Sequence, residues 1–325
     1  MGQKKSGIRR NVLALSGGVG GAKLACGLAR VLPPGALTTV ANTGDDFEHF
    51  GLHISPDIDT LTYALAGLQN EQTGWGRSDE TWSFMTALGD LGGETWFKLG
   101  DRDLALHLER TRRLNSGQRL SHVTSDIARL LGVSSRILPM TDDRVRTQVV
   151  TEAGVLEFQR YFVEAQCLPK VSGFIFDGAD QAHPHPDIVA AMKDPDLRAI
   201  VLCPSNPFIS IGPMLAIAGL RSALAASEAP VIAVSPIIGG HAVKGPTAKM
   251  MKELGLQVDA SAVAAHYHGL IDGFVIDTVD ASLANRIEVP VDVQPTIMRD
   301  QADRERLARA VIDFADRFTS TDKRA

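Results

Sequence analysis

The first clear pattern is a short apolar run, Asn11-Val-Leu-Ala-Leu-Ser16, that stops at a cluster of glycines. A run of this length bounded by turn residues predicts a buried strand. The period then changes: Leu24, Leu28 and Val31 fall on one stripe, predicting a helix from Ala22 to Val31 that Pro33 and Pro34 stop. Leu37 to Ala41 reads as a second strand. Strand, glycine turn, helix and strand make a βαβ unit, which implies a parallel sheet. Buried-strand patterns return at Gly173 to Asp177, Ala199 to Cys203, Val231 to Ser235 and Gly273 to Asp277. Between them the spacing turns helical, at Thr60 to Leu68, Thr81 to Leu88, Asp103 to Arg113 and Val123 to Leu131. Val145 to Val150 and Val155 to Tyr161 flank a turn as a hairpin. The expected fold is α/β: a Rossmann-like, doubly wound, mostly parallel sheet. Residues 8–60 and 170–325 would form its nucleotide-binding core, and 61–169 a mainly helical insertion carrying the hairpin.

Composition narrows the class. Of 325 residues, 44% are hydrophobic and 22% charged, which excludes disordered and fibrous chains. Net charge is -5 with both signs scattered, so a phosphate site must be local and no nucleic-acid face is implied. Cys26, Cys167 and Cys203 lie far apart without paired spacing, which suits a reducing compartment. The basic N-terminus matches a myristoylation pattern at Gly2 and Ser6, but no second membrane signal accompanies it. The run from Asn11 is too short for a targeting segment, and the longest apolar runs are strand-sized. A soluble, cytoplasmic protein without membrane partners is expected.

Four regions carry the chemistry. Ser16-Gly-Gly-Val-Gly-Gly-Ala-Lys23 follows the first strand and opens the first helix. Gly17, Gly18, Gly20 and Gly21 would let backbone N–H groups approach an anion at a helix N-terminus, making a phosphate cradle. The loop departs from both the Walker and the dinucleotide patterns, and a tight turn without a ligand is the bland alternative. The second strand runs into Asn42-Thr-Gly-Asp-Asp and then Ser55-Pro-Asp-Ile-Asp-Thr60. Asp45, Asp46, Asp57 and Asp59 would crowd beside bound phosphates, where magnesium relieves like-charge repulsion. Capping of the following helix explains one aspartate, not four. Pro204-Ser-Asn-Pro-Phe-Ile-Ser-Ile-Gly212 follows a later strand as a rigid polar loop suited to a base or ribose, and Ser235-Pro-Ile-Ile-Gly-Gly-His-Ala-Val-Lys-Gly-Pro246 follows the next strand and supplies a second Gly-Gly with Lys244. The pairs His183/His185 and His266/His268 lack metal-ligand spacing.

Taken in order, SGGVGGAK, NTGDD, SPDIDT, KLGDRD, ILPMTDD, PSNPFISIGP and SPIIGGHAVKGP resemble the 2-phospho-L-lactate transferase family of coenzyme F420 biosynthesis. The resemblance runs from about Asn11 to past Lys249. It implies a Rossmann-like, magnesium-dependent homodimer. The reaction it implies moves a phosphoacyl group from a GDP-linked donor to the terminal hydroxyl of the deazaflavin Fo, releasing GMP. By resemblance, the glycine loop with Lys23, the loop with Ser205, Asn206 and Ser210, and the loop with Lys244 and Gly245 hold the guanosine diphosphate moiety. Asp59 and Lys98 match positions associated with Fo, and Asp46 and Asp59 match metal-holding aspartates. The insertion would then contribute to the acceptor site. Some members carry Trp where Phe47 stands here.

The inferred chemistry is direct phosphoryl transfer, in which positioning and charge neutralisation supply most of the rate. Lys23 and backbone N–H groups would stabilise developing charge, and Asp59 would orient or deprotonate the hydroxyl. The acyl part remains open between lactyl, enolpyruvyl and glyceryl. The alternative is a non-catalytic nucleotide-sugar-binding regulator of the gluconeogenesis-factor type, which carries a differently worded segment where SPDIDT stands. A nicotinamide-dependent oxidoreductase is disfavoured, because Ala41 and Asn42 close the second strand in place of an acidic residue.

Overall fold

The computed structural model describes residues 10–318, so the N-terminal pattern with Gly2 and Ser6 lies outside the described residues. Strands β1 (Asn11–Ser16) and β2 (Leu37–Ala41) flank helix α1 (Gly18–Val31). A short hairpin, β3 (Phe47–His49) with β4 (Leu52–Ile54), leads into helices α2 (Pro56–Ala66), α3 (Ser83–Asp90), α4 (Asp101–Asn115) and α5 (Leu120–Leu130). The chain returns as β5 (Arg136–Pro139), then leaves for a three-stranded antiparallel sheet of β6 (Arg146–Thr151), β7 (Gly154–Glu157) and β8 (Val171–Asp177). Helix α6 (Pro186–Met192) precedes β9 (Leu197–Leu202), and α7 (Gly212–Ala216) and α8 (Leu220–Ala226) precede β10 (Val231–Val234). A small hairpin, β11 (Ile237–Ile238) with β12 (His241–Ala242), precedes α9 (Thr247–Glu253) and α10 (Ala260–His266). Strands β13 (Gly273–Asp277) and β14 (Val291–Gln294) and helix α11 (Gln301–Ala315) close the described chain.

Seven strands form the central sheet in the order β14-β13-β10-β9-β1-β2-β5, every pair parallel. From β1 the chain moves outward through β2 to β5, then crosses to β9 and moves outward the other way. That reversal opens a crevice between the carboxyl ends of β1 and β9, the usual ligand site of such sheets. The central strands are buried on both faces, and their alternation divides the core in two. Leu13, Leu15, Ile200, Leu202, Val231 and Ala233 pack on one face. Val12, Ala14, Ala199, Val201, Ile232 and Val234 pack on the other, against α1 and α11. Among the described residues, no single helix is long and apolar enough to cross a bilayer.

Two expectations change. The run Gly173 to Asp177 is not a core strand: within β8 it pairs antiparallel with β6, and Ile175 is exposed. Only one face of β8 is covered, which its apolar composition does not reveal. Conversely, Arg136-Ile-Leu-Pro139 joins the core sheet as its outer strand, where a terminal proline is tolerated. The segment 61–169 is therefore interrupted by a core strand, and 171–177 lies outside the core sheet. Helix α2 also starts before Thr60, because Pro56 takes its first turn, where its missing N–H costs nothing. Asp57 and Asp59 thus sit in that first turn.

Helices α1 and α11 meet where Gly27 faces the backbone of Arg304, and a Cβ at Gly27 would overlap the Arg304 carbonyl. Alanine gains about 1 kcal/mol of helix propensity over glycine, but overpacking a tight contact costs about 1–3 kcal/mol. Gly27→Ala is therefore expected to lower stability by up to about 2 kcal/mol net. Urea denaturation checks this; equal or greater stability in the variant would show that the helices separate freely.

Candidate active site

Gly17 and Gly18 turn the chain from β1 into α1, and Gly18 has φ +64°, the left-handed region that glycine reaches without strain. The other loop glycines make room for protein neighbours. A Cβ at Gly17 would lie 2.6 Å from Ser210 Cβ and 2.8 Å from Asp57 Oδ2. One at Gly20 would meet the Pro204 carbonyl at 2.5 Å, and one at Gly21 the hydroxyls of Ser16 and Ser205 at 2.5 Å. The Gly17 N–H donates to Ser205 Oγ (3.0 Å), whose hydroxyl donates back to the Gly17 carbonyl (2.8 Å). The Gly18 N–H, first of α1, donates to Asp57 Oδ1 at 2.6 Å. The helix N-terminus thus holds an anion, as its dipole favours, and that anion is the chain's own carboxylate.

Around Asp57 lies a pocket of buried acids. Asn42, at the end of β2, donates to Asp57 Oδ2 (3.0 Å) and is itself held by the Gly44 N–H on its Oδ1 (2.8 Å). Burial pushes the Asp57 carboxyl up to about 6; the bonds from Asn42 and Gly18 oppose this, and the charge of Asp46 adds to it. Asp45 is held well above the usual carboxylate range by burial, then by the charge of Asp57. Asp46 Oδ2 accepts from Ser55 Oγ at 2.8 Å and meets His53 Nε2 at 3.1 Å. Asp45 Oδ1 and Asp46 Oδ1 are buried without a hydrogen-bond partner. Such atoms are rare in folded proteins.

Asp59, in contrast, is fully engaged. The Arg110 guanidinium, from α4, donates to both of its oxygens, one at 3.1 Å, and His107 Nδ1 lies 3.6 Å away. On the far side of the imidazole, His107 Nε2 lies 3.6 Å from Asp103, which accepts from Tyr63 OH at 2.6 Å. Burial first, then Asp103 and Asp59, push the Tyr63 hydroxyl far up, so it acts as a hydrogen-bond donor. Neither Arg110 nor His107 was expected from sequence. Asp103, His107 and Arg110 share one face of α4, but a polar helical stripe ordinarily reads as a solvent face.

The remaining expected residues spread over the same edge. Ser205 and Ser210 press on the glycine loop, and Asn206 Oδ1 accepts from the Phe208 and Ile209 N–H groups. Lys23 donates to the Met298 carbonyl (2.8 Å), and its ammonium is held below its usual range by burial, then by Arg304 and Lys244. Lys244 donates to the Thr73 carbonyl (2.8 Å), and Gly245 takes φ +74° beside it. Lys98 is exposed just before α4, next to an aromatic group in which Phe97 contacts Phe47 (4.8 Å) and Trp96 (5.6 Å). The Arg160 guanidinium lies 4.4 Å over the Trp96 ring. Phe47 follows Asp46 directly, so this aromatic group adjoins the acid pocket.

Because the folded carboxyl of Asp57 lies above its ordinary value of 3.8, the folded protein binds that proton more tightly than the unfolded chain does. The stability it contributes is present below about pH 4 and lost as pH rises through about 6, roughly 3 kcal/mol for the ligand-free protein. Melting curves should show Asp57→Asn gaining on the wild type between pH 4 and 7. A constant difference across that window would remove Asp57 as the source.

The family model for 2-phospho-L-lactate transferase CofD matches residues 12–314. A phosphoenolpyruvate transferase from Streptomyces griseus is 40% identical over 314 residues, covering 94% of this chain and 98% of its own. A 2-phospho-L-lactate transferase from Methanocaldococcus jannaschii is 36% identical over 307 residues, covering 93% and 97%. A crystal structure of a UPF0052 family member from Bacillus halodurans superimposes with a TM-score of 0.59 at 15% identity, over 94% of this chain and 99% of that one, a likeness of fold. With its motifs, its acid pocket and a match over nearly its whole length, the chain belongs to the 2-phospho-L-lactate transferase CofD family.

Proposed function

We propose that this protein transfers a three-carbon phosphoacyl group from a GDP-linked donor to the terminal hydroxyl of the deazaflavin Fo, releasing GMP, in coenzyme F420 biosynthesis. The observation that carries this reading is the buried acid pocket beside the glycine loop, at the crevice between β1 and β9, with an aromatic group at its edge. The hydroxyl oxygen forms a bond to the phosphorus nearest the acyl group, the bond from that phosphorus to the GMP oxygen breaks, GMP leaves with the electron pair, and the hydroxyl proton passes to the departing GMP phosphate or to solvent. Positioning and charge neutralisation suffice for such a transfer. The glycine, Ser205–Ser210 and Lys244 loops hold the nucleotide. Lys23 adds positive charge, and Lys98 with the neighbouring aromatic rings receives the planar acceptor. Asp59, steadied by Arg110, orients the acceptor hydroxyl. A non-catalytic regulator would have no use for an acid pocket built at this cost in buried charge.

The same pocket fits magnesium. Among the described residues, no group of three or more His, Cys, Asp or Glu side chains is arranged as a complete metal site. Magnesium needs only one or two carboxylates, completing its shell with phosphate oxygens and water. The unpartnered oxygens of Asp45 and Asp46, beside Asp57, are the matching donors. Asp46 and Asp59 are the ligands that the resemblance implies, and Asp59 is held on both oxygens by Arg110 as well. When bound, the ion would neutralise charge on the donor diphosphate. Relatives named for phosphoenolpyruvate transfer support the enolpyruvyl donor. A cytoplasmic location suits the three free thiols, of which burial pushes Cys26 up to about 11 and Cys203 to about 12, and the homodimer rests on the family resemblance alone.

Incubation with Fo, magnesium and each of the lactyl, enolpyruvyl and glyceryl donors, followed by mass spectrometry, tests the transfer. The expected product is Fo heavier by one phosphoacyl unit, with equimolar GMP; no adduct from any donor overturns the transferase. Chelation with EDTA should abolish turnover and magnesium restore it, and Asp46→Asn should slow it on the order of 100-fold. Full activity in EDTA would remove the metal.

A further inference from the structure

Arg110 has an arrangement that stability alone does not explain. Its side chain is 2% exposed, and its Nε is buried without a hydrogen-bond partner. Its Nη1 and Nη2 grip Asp59, and Nη1 also lies 3.5 Å from the His53 carbonyl and 3.5 Å from His107 Nδ1. One guanidinium therefore touches α2, through Asp59, and the β3–β4 hairpin, through His53, from its place on α4. Thr111, the next residue, reinforces the join by accepting from the His53 N–H at 2.7 Å. A buried ion pair with an unsatisfied donor is often no more stable than apolar side chains of the same volume. What it does supply is register, since a bidentate fork accepts a carboxylate in one orientation. The parts registered are functional. Helix α4 begins at Asp101, shortly after Lys98 and the aromatic group, whereas Asp59 and the hairpin, with Asp46 just before it, belong to the acid pocket.

We propose that Arg110 is a positioning residue for the transfer: by fixing Asp59 it registers the acceptor-bearing start of α4 against the acid pocket. This rests on the transfer reading above. Arg110 touches no reacting atom; it sets the distance between the acceptor hydroxyl and the phosphorus it attacks. Its loss then slows the chemical step and leaves the nucleotide side, built by the glycine and Ser205–Ser210 loops, unaltered. A displacement of about 1 Å at such a site costs on the order of 100-fold in rate.

The test uses Arg110→Lys, which keeps the charge and loses the fork, and His107→Gln, which removes the imidazole beside the Asp59 oxygen that Arg110 Nη1 holds. GDP is the probe for the nucleotide site, titrated by calorimetry, and turnover is expressed per GDP-binding site. Arg110→Lys is expected to bind GDP within about 3-fold of wild type and to turn over about 10- to 100-fold more slowly, with the donor KM unchanged. His107→Gln should show the same pattern with a smaller loss. A purely structural residue would reduce the number of GDP-binding sites and leave turnover per site intact; that result, or wild-type turnover in both variants, overturns the proposal. Absence of transfer by the wild type overturns the transfer reading itself, whereas wild-type transfer with unaffected variants overturns only the role of Arg110.

Discussion

Four buried carboxylates share one small region at the carboxyl edge of the sheet, and most of the local structure answers to that crowding. Each ionised acid taken from water must find donors or an opposite charge, or else keep its proton. Asp57 receives the first amide of α1 and the amide of Asn42, yet still titrates high, because burial and Asp46 outweigh both bonds. Asp59 receives a guanidinium. Asp46 receives a serine hydroxyl and an imidazole, each on the same oxygen. What remains is one buried oxygen each on Asp45 and Asp46 without a hydrogen-bond partner.

The glycine loop takes its meaning from that arrangement. In a simple phosphate cradle, glycines clear space for the ligand. Here Gly17, Gly20 and Gly21 clear space for Ser210, Asp57, Pro204 and Ser205, so the loop after β1 and the loop after β9 interlock across the crevice. The interlock presents Asp57 to the N-terminus of α1 and keeps the two loops at a set separation. Pro56 serves the same end by starting α2 early enough to bring Asp57 and Asp59 into its first turn.

Much of the fold was legible along the chain because parallel strands buried on both faces leave uninterrupted apolar runs. Val231 to Val234 and Gly273 to Asp277 are of this kind. The failures have the same origin. Gly173 to Asp177 carries such a run but is covered on one face only, and Arg136 to Pro139 lacks one because an outer strand tolerates a charge and a proline. In the site, the aspartates were legible by their density, and the serine and asparagine loop by its prolines and position after a strand. Arg110 and His107 were not, since a polar face on a charged helix looks the same whether water or another helix lies against it.

By itself, the sequence determined the α/β class, the opening βαβ unit and most of the central strands, the loops that follow them and the family motifs, all of which follow from local periodicity, turn chemistry and residue order. Only the tertiary structure decided which carboxylate meets which donor: Asp57 the helix amide, Asp59 the guanidinium, Asp45 and Asp46 no partner for one oxygen each. The physical reason is that spacing along the chain says which acids are near one another, while their charge state and availability depend on groups that folding brings from far away. Arg110 lies 51 residues from Asp59, and Ser205 lies 188 from Gly17.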